Sequence, residues 1–202
     1  VIDTVPLLPT GGDNPIGVAV SPAGTRLYIA NSAGDDSVSV IDTTLVPPAV
    51  IDTVPLGTDP VDVAVSPDGT RAYTANNAAD NVSVIDTATN TVIDTVPLGG
   101  FGVGDGPNHV AVSPDGTRAY TGNFVSDNVS VIDTLTNTRV PPVTVAPTGD
   151  GPTAVAVAAV PGTATAQCPP GTALTGGGFE ITGPFPNYFN SKPVINDTWQ
   201  IS

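Results

Sequence analysis

An internal repeat constrains the fold of this chain more than any other feature. The sequence VAVSPDGTRAY at residues 63–73 recurs upstream as VAVSPAGTRLY at 18–28 and downstream as VAVSPDGTRAY at 110–120. The three copies begin at Val18, Val63 and Val110 and are therefore separated by 45 and 47 residues. A repeat period of this length is typical of the blades of a β-propeller.

Each copy of the repeat predicts four short strands. In the second copy we expect strands at 63–66, 71–75, 82–85 and 92–98, because apolar and polar residues alternate there. The segments between them, such as the SPDGT and DTATNT sequences, are rich in turn-forming residues. A four-stranded antiparallel sheet that is apolar on both faces needs a neighbour on each side. The sequence therefore predicts an all-β fold, a β-propeller of four-stranded antiparallel blades.

The repeat also predicts how the chain is divided. Three full repeats form blades at about 15–56, 60–98 and 107–146, and a partial blade begins at 152–160. Residues 1–9 match the fourth strand of a blade, so they are expected to complete the partial one or to belong to a blade that begins upstream. Residues 161–202 depart from the repeat and are expected to form a separate C-terminal segment.

The repeat resembles a known family. The pattern P-x-x-VAVSPDGTRAYxAN…DNVSVIDTxTNTVxxTVPLG is similar to the YVTN-type β-propeller repeat over residues 1–160, and residues 166–179 resemble a CPxGTxxxGGG-type β module of secreted bacterial proteins. The second resemblance implies that residues 161–202 form a small β-rich segment, and that this copy is incomplete because the module normally continues further. The YVTN resemblance implies a propeller located outside the cytoplasm of a prokaryote, as in surface-layer proteins. It does not define a function, because proteins of one fold bind or transform different molecules.

Two ways of closing the ring are open at this stage. Residues 1–9 would complete a small four-bladed ring, or the chain would supply about half of a seven- or eight-bladed ring, completed by another copy or by further sequence. The resemblance favours the second, because the family usually builds larger rings. The chain starts in the middle of a repeat and has no Met, so we expect a mature product or a fragment.

Composition excludes several classes of partner. Five basic and 19 acidic residues give a formal net charge of −14, which argues against nucleic acid and anionic membrane surfaces. No apolar run reaches about 18 residues, the length that a membrane-spanning helix needs. Cys168 is the only cysteine and has no partner for an internal disulfide. These features are compatible with an extracellular or cell-surface protein.

The predicted topology collects acidic residues on one face. We call this the mouth face: it carries the loops between the second and third strands of each blade and those between successive blades. The notable feature is that these loops contain aspartates without Lys or Arg. Negative charge around a funnel concentrates cations, and Ca²⁺ prefers carboxylate oxygens. The candidate metal ligands are Asp35, Asp36, Asp80 and Asp127, and the candidate ligand-binding residues are Asp13, Asp59, Asp62, Asp105, His109 and Phe101.

Each of these candidates also has a structural explanation. Aspartate is a preferred turn residue whether or not it binds a ligand. His109, the only histidine, occupies the repeat position held by Asp62 one blade earlier, so the two are expected to lie at the same level of the funnel. A histidine beside a carboxylate can transfer protons, but His109 also fits a variable loop position. Phe101 lies in the glycine-rich insert GGFGVGDG, where it would be available to a partner.

The residues favour a non-catalytic protein over an enzyme. We expect a secreted or cell-surface propeller that acts as a binding or structural scaffold for a protein, a glycan or another copy of itself, with Ca²⁺ as the candidate cofactor. The alternative is a lactonase-like metal-assisted hydrolase or lyase, with Asp62 and His109 as catalytic residues. That alternative rests on analogy with other propellers. A redox-active propeller ranks last, because the sequence contains no ligand set for a redox centre.

Overall fold

The structure is a computed structural model that describes residues 4–6, 14–32, 34, 36–99, 105–143, 152 and 154–157, with backbone only at 141–143. These residues contain twelve strands in three sheets, each antiparallel and in sequential order. The strands are β1 Pro15–Val20, β2 Arg26–Asn31, β3 Ser37–Asp42, β4 Ala49–Pro55, β5 Pro60–Val65, β6 Arg71–Asn76, β7 Asn81–Asp86, β8 Thr91–Pro97, β9 Pro107–Val112, β10 Arg118–Asn123, β11 Asn128–Asp133 and β12 Thr138–Val143.

The all-β prediction of four-stranded antiparallel blades is confirmed. Blade 1 contains β1–β4, blade 2 contains β5–β8 and blade 3 contains β9–β12. The inner strand β5 begins at Pro60, earlier than the predicted start at Val63, because Pro60 pairs with Asn76 across a bulge that precedes Asp62. Residues 4–6, 152 and 154–157 are not in strands, and the rest of the predicted partial blade lies outside the described residues.

Hydrogen bonds explain the SPDGT turn of the repeat. In blade 2, the backbone N–H of Ser66 donates to the carbonyl of Arg71, and that of Gly69 donates to the carbonyl of Ser66, both at 2.8 Å. Gly69 has a φ of 73°, a conformation that glycine adopts without a steric penalty. The Asp68 carboxylate accepts hydrogen bonds from the hydroxyl of Ser66 and the backbone N–H of Thr70. The motif is therefore a self-contained tight turn.

The apolar core lies between blades. Tyr28, Ala30 and Val38 of blade 1 form one buried cluster with Val63 and Ile85 of blade 2. The equivalent residues Tyr73, Ala75 and Val82 of blade 2 form a second cluster with Val110 and Ile132 of blade 3. Burying apolar surface is the main favourable term in folding, so each blade is stabilised chiefly by its neighbours.

Two arginines reinforce these interfaces. Arg26 of blade 1 donates to the carbonyl of Thr87 in blade 2, and Arg71 of blade 2 donates to the carbonyl of Thr134 in blade 3, each at 2.5 Å. Arg118 of blade 3 instead lies 2.6 Å from the carboxylate of Asp133 in its own blade. The repeated arginine thus links each of the first two blades to the next.

Two further findings concern the chain as a whole. It divides into Val1–Pro161 and Gly162–Ser202. The second unit, with the predicted C-terminal module and Cys168, lies outside the residues that the structure describes. Within the described segments, no helix is long and apolar enough to cross a membrane.

Candidate functional site

The first strands of the three blades lie side by side, with β5 in contact with both β1 and β9. Each of these strands is an edge of its own sheet. They therefore bring the same repeat position together from three blades. That position is occupied by Gly17 in β1, Asp62 in β5 and His109 in β9.

The structure brings Asp62 and His109 together, as their repeat positions predict. Nδ1 of His109 lies 3.3 Å from Oδ2 of Asp62, and the backbone N–H of Val110 donates to the same oxygen at 3.0 Å. Asp62 is partly buried, and the imidazole is partly exposed. A carboxylate facing Nδ1 favours the tautomer that carries its proton on Nδ1, which leaves Nε2 as an acceptor. The pair thus has the geometry of an oriented general base.

Gly17 allows blades 1 and 2 to approach closely at this level. A Cβ atom on Gly17 would lie 2.6 Å from Cα of Asp62 and 2.8 Å from its Oδ1. Both distances are shorter than non-bonded carbon contacts, which are optimal at about 3.5–4.0 Å. The position of Asp62, and hence its contact with His109, depends on the absence of a side chain at Gly17.

Several mouth-face aspartates connect one blade to the next. Oδ1 of Asp36 accepts a hydrogen bond from the backbone N–H of Asp59 at 3.0 Å, and Oδ1 of Asp80 accepts one from Gly106 at 2.9 Å. Asp59 also accepts a hydrogen bond from the hydroxyl of Ser32. Asp36 and Asp80 have φ values of 43° and 51°, which aspartate tolerates better than most residues. These carboxylates hold the segments that lead into β5 and β9.

Asp105 is a buried residue whose environment the sequence did not reveal. Among the residues that the structure describes, its Oδ2 has no hydrogen-bond partner; this oxygen lies 3.7 Å from Nη1 of Arg139. Arg139 also donates to the carbonyl of Leu98. The sequence predicted no basic side chain near the mouth-face aspartates, but Arg139 lies close to Asp105. The available signal was that Arg139 replaces Val50 and Val92 of the earlier repeats.

The mouth face also has an apolar feature that sequence reasoning missed. Phe124 and Val125 form the turn between β10 and β11 and are 48% and 56% exposed. Blade 2 has Asn77 and Ala78 at the same repeat positions. The sequence indicated this feature through the departure of Phe124 and Val125 from the residues of the repeat. Asp13, Asp35 and Phe101, which sequence reasoning had selected, lie outside the described residues.

The described donors do not assemble into a metal centre. Among the residues that the structure describes, no three His, Cys, Asp or Glu side chains come together as a metal site would require. Asp36 and Asp80 each already accept a backbone N–H. Asp127 has the same left-handed conformation, with a φ of 52°. Ca²⁺ usually takes six to eight oxygen ligands, so these residues alone do not fit it.

The opposite face carries aspartates that stabilise turns. The pKa of Asp115 is lowered to about 2, first by the hydroxyl of Ser113 and then by the backbone N–H and hydroxyl of Thr117. Hydrogen bonds to neighbouring hydroxyl and backbone groups likewise lower the pKa values of Asp68 in the equivalent turn and of Asp42, Asp86 and Asp133 in the turns between third and fourth strands. A cleft of about 730 Å³ opens here between blades 2 and 3. The carboxylates of this cleft stabilise turns, and the cleft has no counterpart of the Asp62–His109 pair among the residues that line it. That pair is therefore the better candidate site.

Repeated four-stranded blades that stack through their faces, with their first strands side by side, define a β-propeller. Residues 9–160 match the family model described as "Lactonase, 7-bladed beta-propeller". The chain belongs to this family. No curated protein matches it.

Two solved structures are similar to this chain. Hydrazine synthase of Kuenenia stuttgartiensis shares 30% identity with a TM-score of 0.64, over 73% of this chain and 40% of that one. A functionally unknown protein from Desulfotomaculum acetoxidans DSM 771 shares 20% identity with a TM-score of 0.55, over 69% of this chain and 44% of that one. The second shows the fold alone. The chain spans less than half the length of either structure.

Proposed function

We propose that this protein is a non-catalytic β-propeller scaffold, secreted or held at the cell surface, that binds a protein or glycan partner through its mouth face. The observation that carries this proposal is the exposed Phe124–Val125 turn. Exposed apolar side chains on a rigid scaffold are typical of binding surfaces. The proposed cell-surface location comes from the resemblance of the repeat to the YVTN type, which is itself part of the proposal.

The backbone of this turn is held in place while its side chains remain exposed. The N–H of Phe124 donates to the carbonyl of Gly106 at 2.9 Å, and that of Val125 donates to the carbonyl of Asp105 at 3.2 Å. In blade 2, the equivalent Asn77 directs its side chain to Asn108 in the next blade, 2.7 Å away. Phe124 cannot make that hydrogen bond. A pre-organised apolar turn lowers the entropic cost of binding.

The experiment compares Phe124→Ser with Leu135→Ser. Leu135 is also an exposed apolar turn residue, but it lies in the turn between β11 and β12, on the opposite face. Fluorescently labelled protein would be added to intact bacterial cells, and retention after washing would be measured. We expect the wild type and Leu135→Ser to be retained and Phe124→Ser to be lost. A wild type that is not retained, or equal retention of Phe124→Ser, would contradict the proposal.

A second candidate function is hydrolysis of a lactone. Two observations favour it: the chain belongs to a family described as lactonases, and His109 is oriented by Asp62. Nε2 of His109 would accept a proton from a water whose oxygen attacks the lactone carbonyl carbon. The ring C–O bond would then break, and the proton would pass to the leaving alkoxide. Asp62 would hold Nδ1–H and stabilise the imidazolium.

The hydrolase is tested with a panel of γ- and δ-lactones in a pH-stat assay. If His109 is the base, His109→Gln lowers the rate by roughly 10²–10⁴-fold, and Asp62→Asn lowers it as well. Asp115→Asn, on the opposite face, leaves the rate unchanged. Absence of lactone opening by the wild type, or full activity in His109→Gln, would remove this candidate.

Calcium binding at the mouth face is part of the same proposal. Asp13 and Asp35 would have to add oxygens to those of the described aspartates. Isothermal titration with CaCl₂ measures this directly, and heat that disappears in Asp35→Asn would support it. Titration without heat in the wild type would oppose it.

A further inference from the structure

In blade 3, four residues that differ from the repeat are connected through one turn of the mouth face. Gly106, Phe124, Val125 and Arg139 replace Asp59, Asn77, Ala78 and Val92 of blade 2. The backbone N–H of Phe124 donates to the carbonyl of Gly106, and that of Val125 donates to the carbonyl of Asp105. The carboxylate of Asp105 in turn lies beside Arg139. The replacements therefore belong to one local arrangement that blade 2 does not have.

The first pair of replacements is complementary in size. Gly106 has a φ of 58°, but its counterpart Asp59 has a φ of 61°, so the backbone conformation alone does not require glycine here. A Cβ on Gly106 would overlap Cγ2 of Val125. In blade 2 the small residue is instead Ala78, opposite the larger Asp59. Gly106 therefore provides the room that the side chain of Val125 occupies.

The turn of blade 3 needs a different anchor from the turn of blade 2. In blade 2, Nδ2 of Asn77 donates to Oδ1 of Asn108 at 2.7 Å and to the carbonyl of Pro107 at 3.3 Å, which ties that turn to the next blade. Phe124 has no polar side-chain group with which to make such bonds. The backbone bonds to Gly106 and Asp105 have to hold the turn instead, so its order depends on how firmly that segment is fixed.

Arg139 fixes this segment from the fourth strand of the blade. Its Nη1 lies 3.7 Å from Oδ2 of Asp105, and the guanidinium also donates to the carbonyl of Leu98. The Asp105 side chain is only 8% exposed and that of Arg139 18%. A buried carboxylate is costly unless a cation pairs with it. Among the residues that the structure describes, Arg139 is the cation that pairs with Asp105.

We propose that Arg139 is a positioning residue that orders the Phe124–Val125 turn by holding Asp105 in place. The guanidinium holds the carboxylate of Asp105, and the carbonyl of the same residue accepts the N–H of Val125 at 3.2 Å. Without the cation, the carboxylate moves towards water, and the backbone of Asp105 moves with it. That the turn binds a partner rests on the proposed function, whereas the effect of Arg139 on the turn can be measured without a partner.

Amide hydrogen exchange of the full chain, followed by NMR, tests this role. Arg139→Val introduces the residue that blade 2 has at this position. We expect the amides of Phe124 and Val125 to exchange roughly tenfold faster or more, because the turn opens locally. The reference is the amide of Thr134, which donates to the carbonyl of Thr117 at 3.2 Å on the opposite face of the blade and should change little. Unchanged exchange at Val125, or equal acceleration at Thr134, would overturn the proposal.

A matched control and a second variant separate pairing from general damage. Arg118→Val removes the pair with Asp133 on the opposite face of the blade and should leave the exchange of Val125 as it is in the wild type. Arg139→Val/Asp105→Asn leaves no charge buried, so protection of Val125 should return towards that of the wild type. Exchange as fast as in Arg139→Val alone would contradict the role of the ion pair. Should Arg139→Val not fold, Arg139→Gln, which keeps a donor for the Leu98 carbonyl, takes its place with the same expectations.

Retention on cells, measured on the same proteins, distinguishes this inference from the proposed function. Faster exchange of the Phe124 and Val125 amides in the Arg139 variant, together with a wild type that is not retained, would support the positioning role and contradict partner binding. A retained wild type, together with unchanged exchange in the Arg139 variant, would overturn the positioning role and leave partner binding supported.

Discussion

Replacing Gly17 with alanine tests how tightly blades 1 and 2 are packed at the level of Asp62. The new Cβ would lie 2.6 Å from Cα of Asp62 and 3.0 Å from the carbonyl oxygen of Val61. Both are backbone atoms, so no side-chain rotation relieves the contact. Because carbon atoms prefer about 3.5–4.0 Å, β5 has to move by about 1 Å. Overpacking of this kind costs typically about 1–3 kcal/mol.

The assay is thermal unfolding, with Gly57→Ala as the matched control. A Cβ on Gly57 would lie 3.4 Å from the side chain of Ala79, an ordinary contact. That substitution is expected to be neutral or to stabilise by about 0.4–1 kcal/mol, because alanine restricts the unfolded chain. For a domain of this size, each kcal/mol shifts Tm by roughly 2–4 °C. Equal Tm values for the two variants would refute the packing argument. In the lactonase candidate, Gly17→Ala should also lower activity by displacing Asp62.

Three further predictions concern individual hydrogen bonds. Thr121→Val should destabilise the fold by about 1–3 kcal/mol because Oδ1 of Asn123 loses its buried donor at 2.9 Å; urea unfolding should show no such loss for Thr95→Val, at an exposed position. Asp115→Ala should be less stable than the wild type at pH 7. Since the pKa of Asp115 in the folded state is about 2, below its ordinary 3.8, this difference should be complete above about pH 5 and should be lost progressively as the pH falls to about 2; a constant difference would contradict the turn assignment. Asp80→Ala should lower stability by about 1–2 kcal/mol because its carboxylate holds the next blade. This Tm deficit should persist in the presence of a chelator, because the hydrogen bond to Gly106 needs no metal; a deficit that appears only with calcium would contradict the role of Asp80 as a link between blades.

The fold was predictable because its determinants are local and repeated. The SPDGT turn is closed by bonds between residues no more than five apart, such as Ser66 and Arg71. Alternating apolar residues then define the two faces of each sheet. The contact between Asp62 and His109 was also predictable, because the repeat places both at one level of neighbouring strands. Its 3.3 Å distance was not, because this depends on the spacing between blades.

The roles of the mouth-face aspartates were not predictable, for a physical reason. An aspartate in a turn looks the same in sequence whether its carboxylate faces solvent, a cation or a backbone N–H. The partner of Asp36 is 23 residues away, at the start of the next blade, and the distance between them depends on the stacking of whole sheets.

Departures from the repeat were more informative than the repeated residues. Phe124, Arg139 and His109 each differ from their counterparts in the other blades. Phe124 exposes an apolar ring, Arg139 lies beside Asp105, and His109 contacts Asp62. In a repeat protein, the positions that are the same in every repeat mainly maintain the stacking of the blades. The positions that differ between repeats are therefore the first candidates for a specific function.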